Sequence, residues 1–139
     1  MGVKKWLLVL PFVAGCSLET DTQDDRPATL AFVTDAILKP SCATAECHSA
    51  MKAEKDLVFD SVDAARNTLL MPGRDLVHTC ADENMPFPCG DAALDQSYLF
   101  QAIDKADHAG NRMPYDQALS NKDIVLIANW IRDDAPGLK

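Results

Sequence analysis

The chain is short of positive charge. It carries 13 Lys and Arg against 21 Asp and Glu over 139 residues, a formal net charge of −8. That balance excludes a nucleic-acid-binding role, which needs a basic patch. The length is too small for two sizeable cores, so one small domain is expected. No run alternates with the two-residue period of a half-buried strand, so no sheet is predicted. There is no internal repeat, no phosphate-binding glycine loop, no Ser-His-Asp arrangement and no carboxylate pair of recognisable geometry, so no enzyme class is indicated. Scattered acids such as Asp56, Asp60 and Asp63 read as a solvated face. What the chain does have is 47% apolar and 24% charged residues, the composition of a folded domain. Its five cysteines point to an oxidising compartment or to a bound metal or cofactor. A disulfide framework uses an even number, so one cysteine needs a separate role.

The first sixteen residues supply that role. Lys4 and Lys5 precede a short apolar run, Trp6 to Val13, and the small pair Ala14-Gly15 then leads to Cys16. The pattern is that of a secretory signal, too short for a mature membrane span. Val13-Ala14-Gly15-Cys16 resembles the lipobox of bacterial lipoproteins, in which cleavage precedes a cysteine that is then acylated. The competing reading is an ordinary signal peptide with a chance cysteine. Several acyl chains hold a protein on a membrane far better than one. Ser17, where aspartate is the usual inner-membrane retention signal of such lipoproteins, implies an outer-membrane lipoprotein facing the periplasm, with the cell surface as the alternative. Loss of residues 1–15 removes two lysines and leaves 11 basic against 21 acidic residues, a net charge of −10. The expected organisation is a signal peptide over 1–15, the lipidated Cys16 and an acidic tether over 16–27, and a folded domain over 28–139. No transmembrane segment follows the signal.

Four segments carry helical periodicity. Ala28 to Lys39 places Leu30, Phe32, Val33, Ile37 and Leu38 roughly on one face and is expected to end at Pro40. Ser61 to Leu70 carries Val62, Ala65 and Leu69 at helical spacing. Asp95 to Ala106 lines up Tyr98, Leu99, Ala102, Ile103 and Ala106. Ser120 to Asp133 has Ser120 and Asp123 as its N-terminal cap and Ile124, Ile127, Ala128 and Ile131 as its buried stripe. The fold class is therefore all-α, with long connections rich in Pro, Gly, Asp and Asn. Four short helices bury little apolar area, so disulfides, a metal or an embedded cofactor should help hold the domain together. Trp130 and Tyr98 fit either plain core positions or contacts to a planar cofactor.

The chemistry concentrates at Ser41-Cys42-Ala43-Thr44-Ala45-Glu46-Cys47-His48-Ser49. Covalent attachment of haem c needs two thiols to meet the two vinyl groups on one edge of the ring. It also needs a histidine beside the second thiol to ligate the iron. The usual spacing is C-x-x-C-H, and here it is Cys42-x4-Cys47-His48. Further on, Asn111-Arg112-Met113-Pro114 precedes Leu119-Ser120 and the last helix, Asp123-Ile124 through Trp130-Ile131. A haem-type motif after the first helix and an Arg-Met-Pro before the last together resemble class I c-type cytochromes. The resemblance spans roughly Ala28 to Lys139 and is carried by its two ends. It implies a small cytochrome c-like domain of about four helices around one haem. Cys42 and Cys47 would be the thioether attachments and His48 and Met113 the iron ligands. A single Cys-His dipeptide supports one haem c only.

Met71, Met85 and Met113 all precede a proline, and most methionines are core filler. Met113 is favoured because it stands about ten residues before the terminal helix, as the family pattern requires. Met85 is the runner-up, and His78 or His108 would give a bis-histidine iron of lower potential. With Cys16, Cys42 and Cys47 assigned by these resemblances, Cys80 and Cys89 are expected to pair. Closing that loop is worth about 2–3 kcal/mol in the loop-entropy model. The resemblance thus implies an electron carrier and no enzyme, anchored to the membrane by lipid. Its acidic surface would meet redox protein partners with basic faces. Three other readings stay open. In the first, Cys42–Cys47 and Cys80–Cys89 are both disulfides of a haem-free binding or structural lipoprotein. The second is a zinc site of Cys42, Cys47, His48 and a fourth ligand, disfavoured by export and by the lack of a second Cys/His pair at ligand spacing. The third is a small haem enzyme, which needs an open iron position.

Overall fold

The computed structural model describes residues 24–82, 84, 87–104 and 112–139. The signal segment, the lipidation residue Cys16, the runner-up ligand Met85 and His108 lie outside the described residues. Helices make up the regular structure, and no strand occurs among the described residues. The order is α1 (Leu30–Val33), a π-turn segment (Thr34–Leu38), α2 (Lys39–Cys42), a 3₁₀ turn (Glu54–Asp56), α3 (Val62–Leu69), α4 (Asp91–Gln96), α5 (Tyr98–Asp104) and α6 (Asn121–Arg132). No helix among the described residues is long and apolar enough to cross a membrane.

The first helix does not stop at Pro40. Helical backbone runs from Leu30 through the π segment to Cys42, with Pro40 second in α2. The widened turn is the reason. Lys39 N–H reaches back five residues to the Thr34 carbonyl, and Ala43 N–H bonds the Leu38 carbonyl at 3.1 Å. Proline lacks an N–H and its ring crowds the carbonyl four residues back, so a local i→i−5 pattern lets the helix pass it. Cys42 thereby becomes the last helical residue, buried against the core.

The third expected helix is also different. A six-residue α4 precedes it, and Ser97 separates α4 from α5. Ser97 is fully buried; its hydroxyl donates to the Ala93 carbonyl at 2.7 Å and accepts the His78 N–H at 2.9 Å. The first N–H groups of α5 are satisfied from outside, Tyr98 by the Asp75 carbonyl and Leu99 by the Leu76 carbonyl, both at 2.9 Å. Leu99 and Ile103 are buried, whereas Tyr98 is 53% exposed.

The last helix is as expected. The Ser120 hydroxyl accepts the Asp123 N–H; of the expected stripe Ile127, Ala128 and Ile131 are buried and Ile124 is half-buried, and Leu126 and Trp130 are buried with them. Helix α6 packs on α4 and α5 and touches α1, and α3 touches α1 and the π segment. The tail closes the structure. The Pro136 carbonyl accepts both the Leu30 N–H at 2.9 Å, an orphan donor at the start of α1, and Trp130 Nε1 at 3.2 Å. Leu138 is fully buried, and Lys139 Nζ reaches Thr79 Oγ1 at 2.7 Å and Asp82 at 3.1 Å. At the other end, Arg26 bonds Asp123 and Asp24, each at 2.6 Å, so the end of the acidic segment is held against α6.

Cys80 and Cys89 form a disulfide with Cα atoms 5.1 Å apart, as expected. It joins the loop after α3 to the start of α4, and the Cys80 N–H donates to Asp134 beyond α6 at 2.7 Å.

Candidate functional site

The loop that follows α2 is built of tight turns. The His48 N–H donates to the Cys42 carbonyl and the Cys47 N–H to the Thr44 carbonyl, both at 3.0 Å. The four residues between the cysteines are thus folded into a turn, which keeps the two thiols on one stretch of wall despite their spacing. The next turn fixes the histidine. Ala53, Lys55 and Asp56 all have left-handed backbone, at φ 46°, 57° and 62°. Non-glycine residues pay for such conformations in strain and hold them only where the surroundings over-determine them. Here the Glu54 N–H donates to the Cys47 carbonyl at 3.0 Å, and the Glu54 carbonyl faces His48 Nδ1 at 3.0 Å.

That second contact determines the tautomer. A carbonyl only accepts, so Nδ1 carries a proton, and in the neutral ring Nε2 is then the nitrogen whose lone pair can bind a metal. The ring also packs edge-on against Phe59, with centroids 5.7 Å apart. Phe59 is placed by its own N–H bond to the His48 carbonyl at 2.9 Å. Buried Thr68 of α3 clips the adjoining stretch, exchanging hydrogen bonds with both backbone groups of Val58.

Two adjoining hollows open beside this loop, of about 570 and 480 Å³, within the usual range of small-molecule sites. Cys42, His48, Lys55, Met113 and Tyr115 border both, and Cys47 borders the larger. The inner hollow is walled by Leu57, Phe59, Leu76, Leu99, Ala102 and Ile103. Half-exposed Tyr98 lines it as well. Met113 comes from the loop between α5 and α6 and is tied to α5 by its N–H bond to the Ala102 carbonyl at 2.9 Å. The structure thus brings Cys42, Cys47, His48 and Met113 onto the walls of one largely apolar cavity. His78 and Met71 are not there; both line a separate hollow of about 210 Å³ near Asp82 and Lys139.

Cys42 and Cys47 are free thiols. Burial, with the nearby Cys47 as a smaller cause, pushes the Cys42 thiol up to about 12. With the cavity empty it therefore stays protonated at neutral pH. Among the described residues, the group whose ligand atoms converge closely enough for a metal ion is Cys80, Cys89 and Asp134, and there the sulfurs are bonded to each other. The donors around the large cavity suit a different group: two unpaired thiols for attachment, an imidazole with a free Nε2, a thioether and apolar walls. Those features fit a haem c.

The two thiols, the histidine and the methionine that border the cavity are the residues the sequence resemblance named. Lys55, Arg74, Tyr115 and the Glu54 carbonyl were not foreseen; they arrive from loops, and no local pattern marks them. No family model, curated protein or solved structure matches the chain.

Proposed function

We propose that the chain is a monohaem electron carrier of the cytochrome c type, anchored as a bacterial outer-membrane lipoprotein through Cys16. The observation that carries this reading is the shared cavity of Cys42, Cys47, His48 and Met113, with His48 Nδ1 committed to the Glu54 carbonyl. The Cys42 and Cys47 thiols would each add sulfur and hydrogen across one vinyl double bond, so attachment would require no oxidant and release no leaving group. When bound, the haem supplies an iron that alternates between ferric and ferrous states. His48 Nε2 and the Met113 sulfur would hold that iron, a pair that favours reduced iron and raises the potential. The Glu54 carbonyl keeps the imidazole oriented and increases its basicity. Leu57, Leu76, Leu99 and Ile103 exclude water from the inner face. Because two side chains of the protein would hold the iron, the site suits electron transfer better than catalysis, which needs an open iron position. The acidic surface favours redox partners with basic faces, and salt should weaken those encounters.

The test is a haem stain of the polypeptide on a denaturing gel, followed by spectroscopy of the native protein. Colour that survives denaturation and acid-acetone extraction is expected. In Met113→Ala the ferrous spectrum should change and the potential should fall. A colourless chain would overturn the proposal and leave a disulfide-stapled binding module; an unchanged Met113→Ala spectrum would overturn the ligand assignment.

A further inference from the structure

The cavity walls are electrically polarised. Glu46, Glu54 and Asp116 border only the hollow that holds Cys47. Arg74 borders only the inner one, and Lys55 borders both. These two are the cationic side chains on the cavity among the described residues, in a chain with a large excess of acid. Their charges are lightly used. Lys55 has no ion-pair partner among the described residues, and Arg74 meets only Asp56, at 3.5 Å, whose side chain is 85% exposed. Lys55 is held at the cavity by a left-handed backbone, in the same turn whose Glu54 carbonyl orients His48.

A negatively charged end of a ligand is repelled by the acidic side of this cavity and attracted to the side bearing Lys55 and Arg74. Protohaem is polarised in the same sense, with vinyl groups on one edge and two propionates on the opposite edge. The Cys47 thiol therefore stands on the acidic side with Cys42 beside it, where the vinyl edge belongs, while Arg74 stands on the other hollow and Lys55 where the two meet. We propose that Lys55 and Arg74 form a carboxylate clamp that seats the two propionates and so fixes which way round the ring enters. This rests on the haem reading above. Arg74 suits the role because its planar fork can hold a carboxylate through two parallel bonds, while Lys55 acts as a mobile point charge.

The test compares ferric mesoporphyrin IX with its dimethyl ester. Neither has vinyl groups, so both bind reversibly, and only the first has carboxylates. Each is titrated into the full chain prepared without haem, in dilute detergent and at low salt. The unmodified chain should prefer the diacid about tenfold, the product of two partly exposed ion pairs worth roughly threefold each. The preference should collapse in Lys55→Gln/Arg74→Gln, persist in Lys55→Arg, and persist in Lys52→Gln, a lysine that does not line the cavity. Equal affinity of the unmodified chain for the two compounds overturns the clamp and leaves the haem reading standing. Because this comparison needs no variant, it holds even if the double substitution fails to fold. Binding of neither compound, together with a negative haem stain, overturns both.

Discussion

Removing the Cys80–Cys89 bridge should loosen the domain by an amount the chain-entropy model predicts. The two cysteines stand nine positions apart, and closing a loop of that size in the unfolded chain corresponds to about 2.5 kcal/mol at 25 °C. Reduction of the unmodified protein should cost that much. In Cys80→Ala/Cys89→Ala the loss of two buried sulfurs adds about 1 kcal/mol each. For a domain of this size 1 kcal/mol moves Tm by about 4–5 °C. Reductant should therefore lower Tm by about 10 °C, and the double variant should melt about 20 °C lower. The assay is thermal unfolding followed by far-UV circular dichroism, with and without reductant. The variant must be indifferent to reductant, because Cys42 and Cys47 are unpaired. A variant that still responds would mean that those two are bridged, and a loss below about 3 °C on reduction would refute the entropic account. The bridge also fixes the start of α4, next to the helix that supplies Leu99, Ala102 and Ile103 to the cavity, so porphyrin affinity should fall with it.

Ser120→Ala removes the cap of α6 and should cost about 1 kcal/mol, read as a Tm drop of about 4–5 °C, with Ser120→Asp restoring most of it. Acid should destabilise the fold in a defined window. The Arg26 hydrogen bonds hold Asp24 down at about 2 from an ordinary 3.8. Burial raises Asp82, but its bonds to Thr79 and Lys139 outweigh that and leave it lowered. A carboxylate depressed by folding stabilises at pH values above its unfolded pKa, and that gain disappears as pH falls toward the folded value. Stability should therefore decline from about pH 4 toward pH 2, and Asp24→Asn should flatten that slope in urea titrations; an identical slope would dismiss the Arg26 pair as a contributor.

Much of the helical core was legible because its signals are local. Ser120 and the Ile127–Ile131 stripe specify α6 through a cap and a 3.6-residue period, and both act within a few residues. Pro40 misled because the rule that it ends a helix presumes i→i−4 bonding, which the π turn abandons. Helix α4 escaped notice because six residues with no side-chain cap at Gly90 carry too little periodicity, and the Ser97 break depends on His78, nineteen residues away. The site divides in the same way. Cys42, Cys47 and His48 lie within seven consecutive residues and Met113 is marked by its proline and the following helix. The Glu54 carbonyl is backbone, and no residue type announces it. Lys55, Arg74 and Tyr115 gain meaning only when loops from three parts of the chain meet.

The π turn at Thr34–Leu38 acts as a phase shifter. Each residue of an α-helix advances by 100°, and a π turn is in effect one residue inserted without lengthening the hydrogen-bonded ladder elsewhere. Leu30 and Val33 lie before the insertion and Cys42 after it, so the extra residue rotates the second half of the helix relative to the first. Deleting a single residue from this segment would leave Leu30 and Val33 in the core but swing Cys42 by about a quarter turn, away from the cavity, and return Pro40 to a position that breaks the helix. The ability of one continuous helix to serve the core at its start and the cavity at its end depends on that added residue.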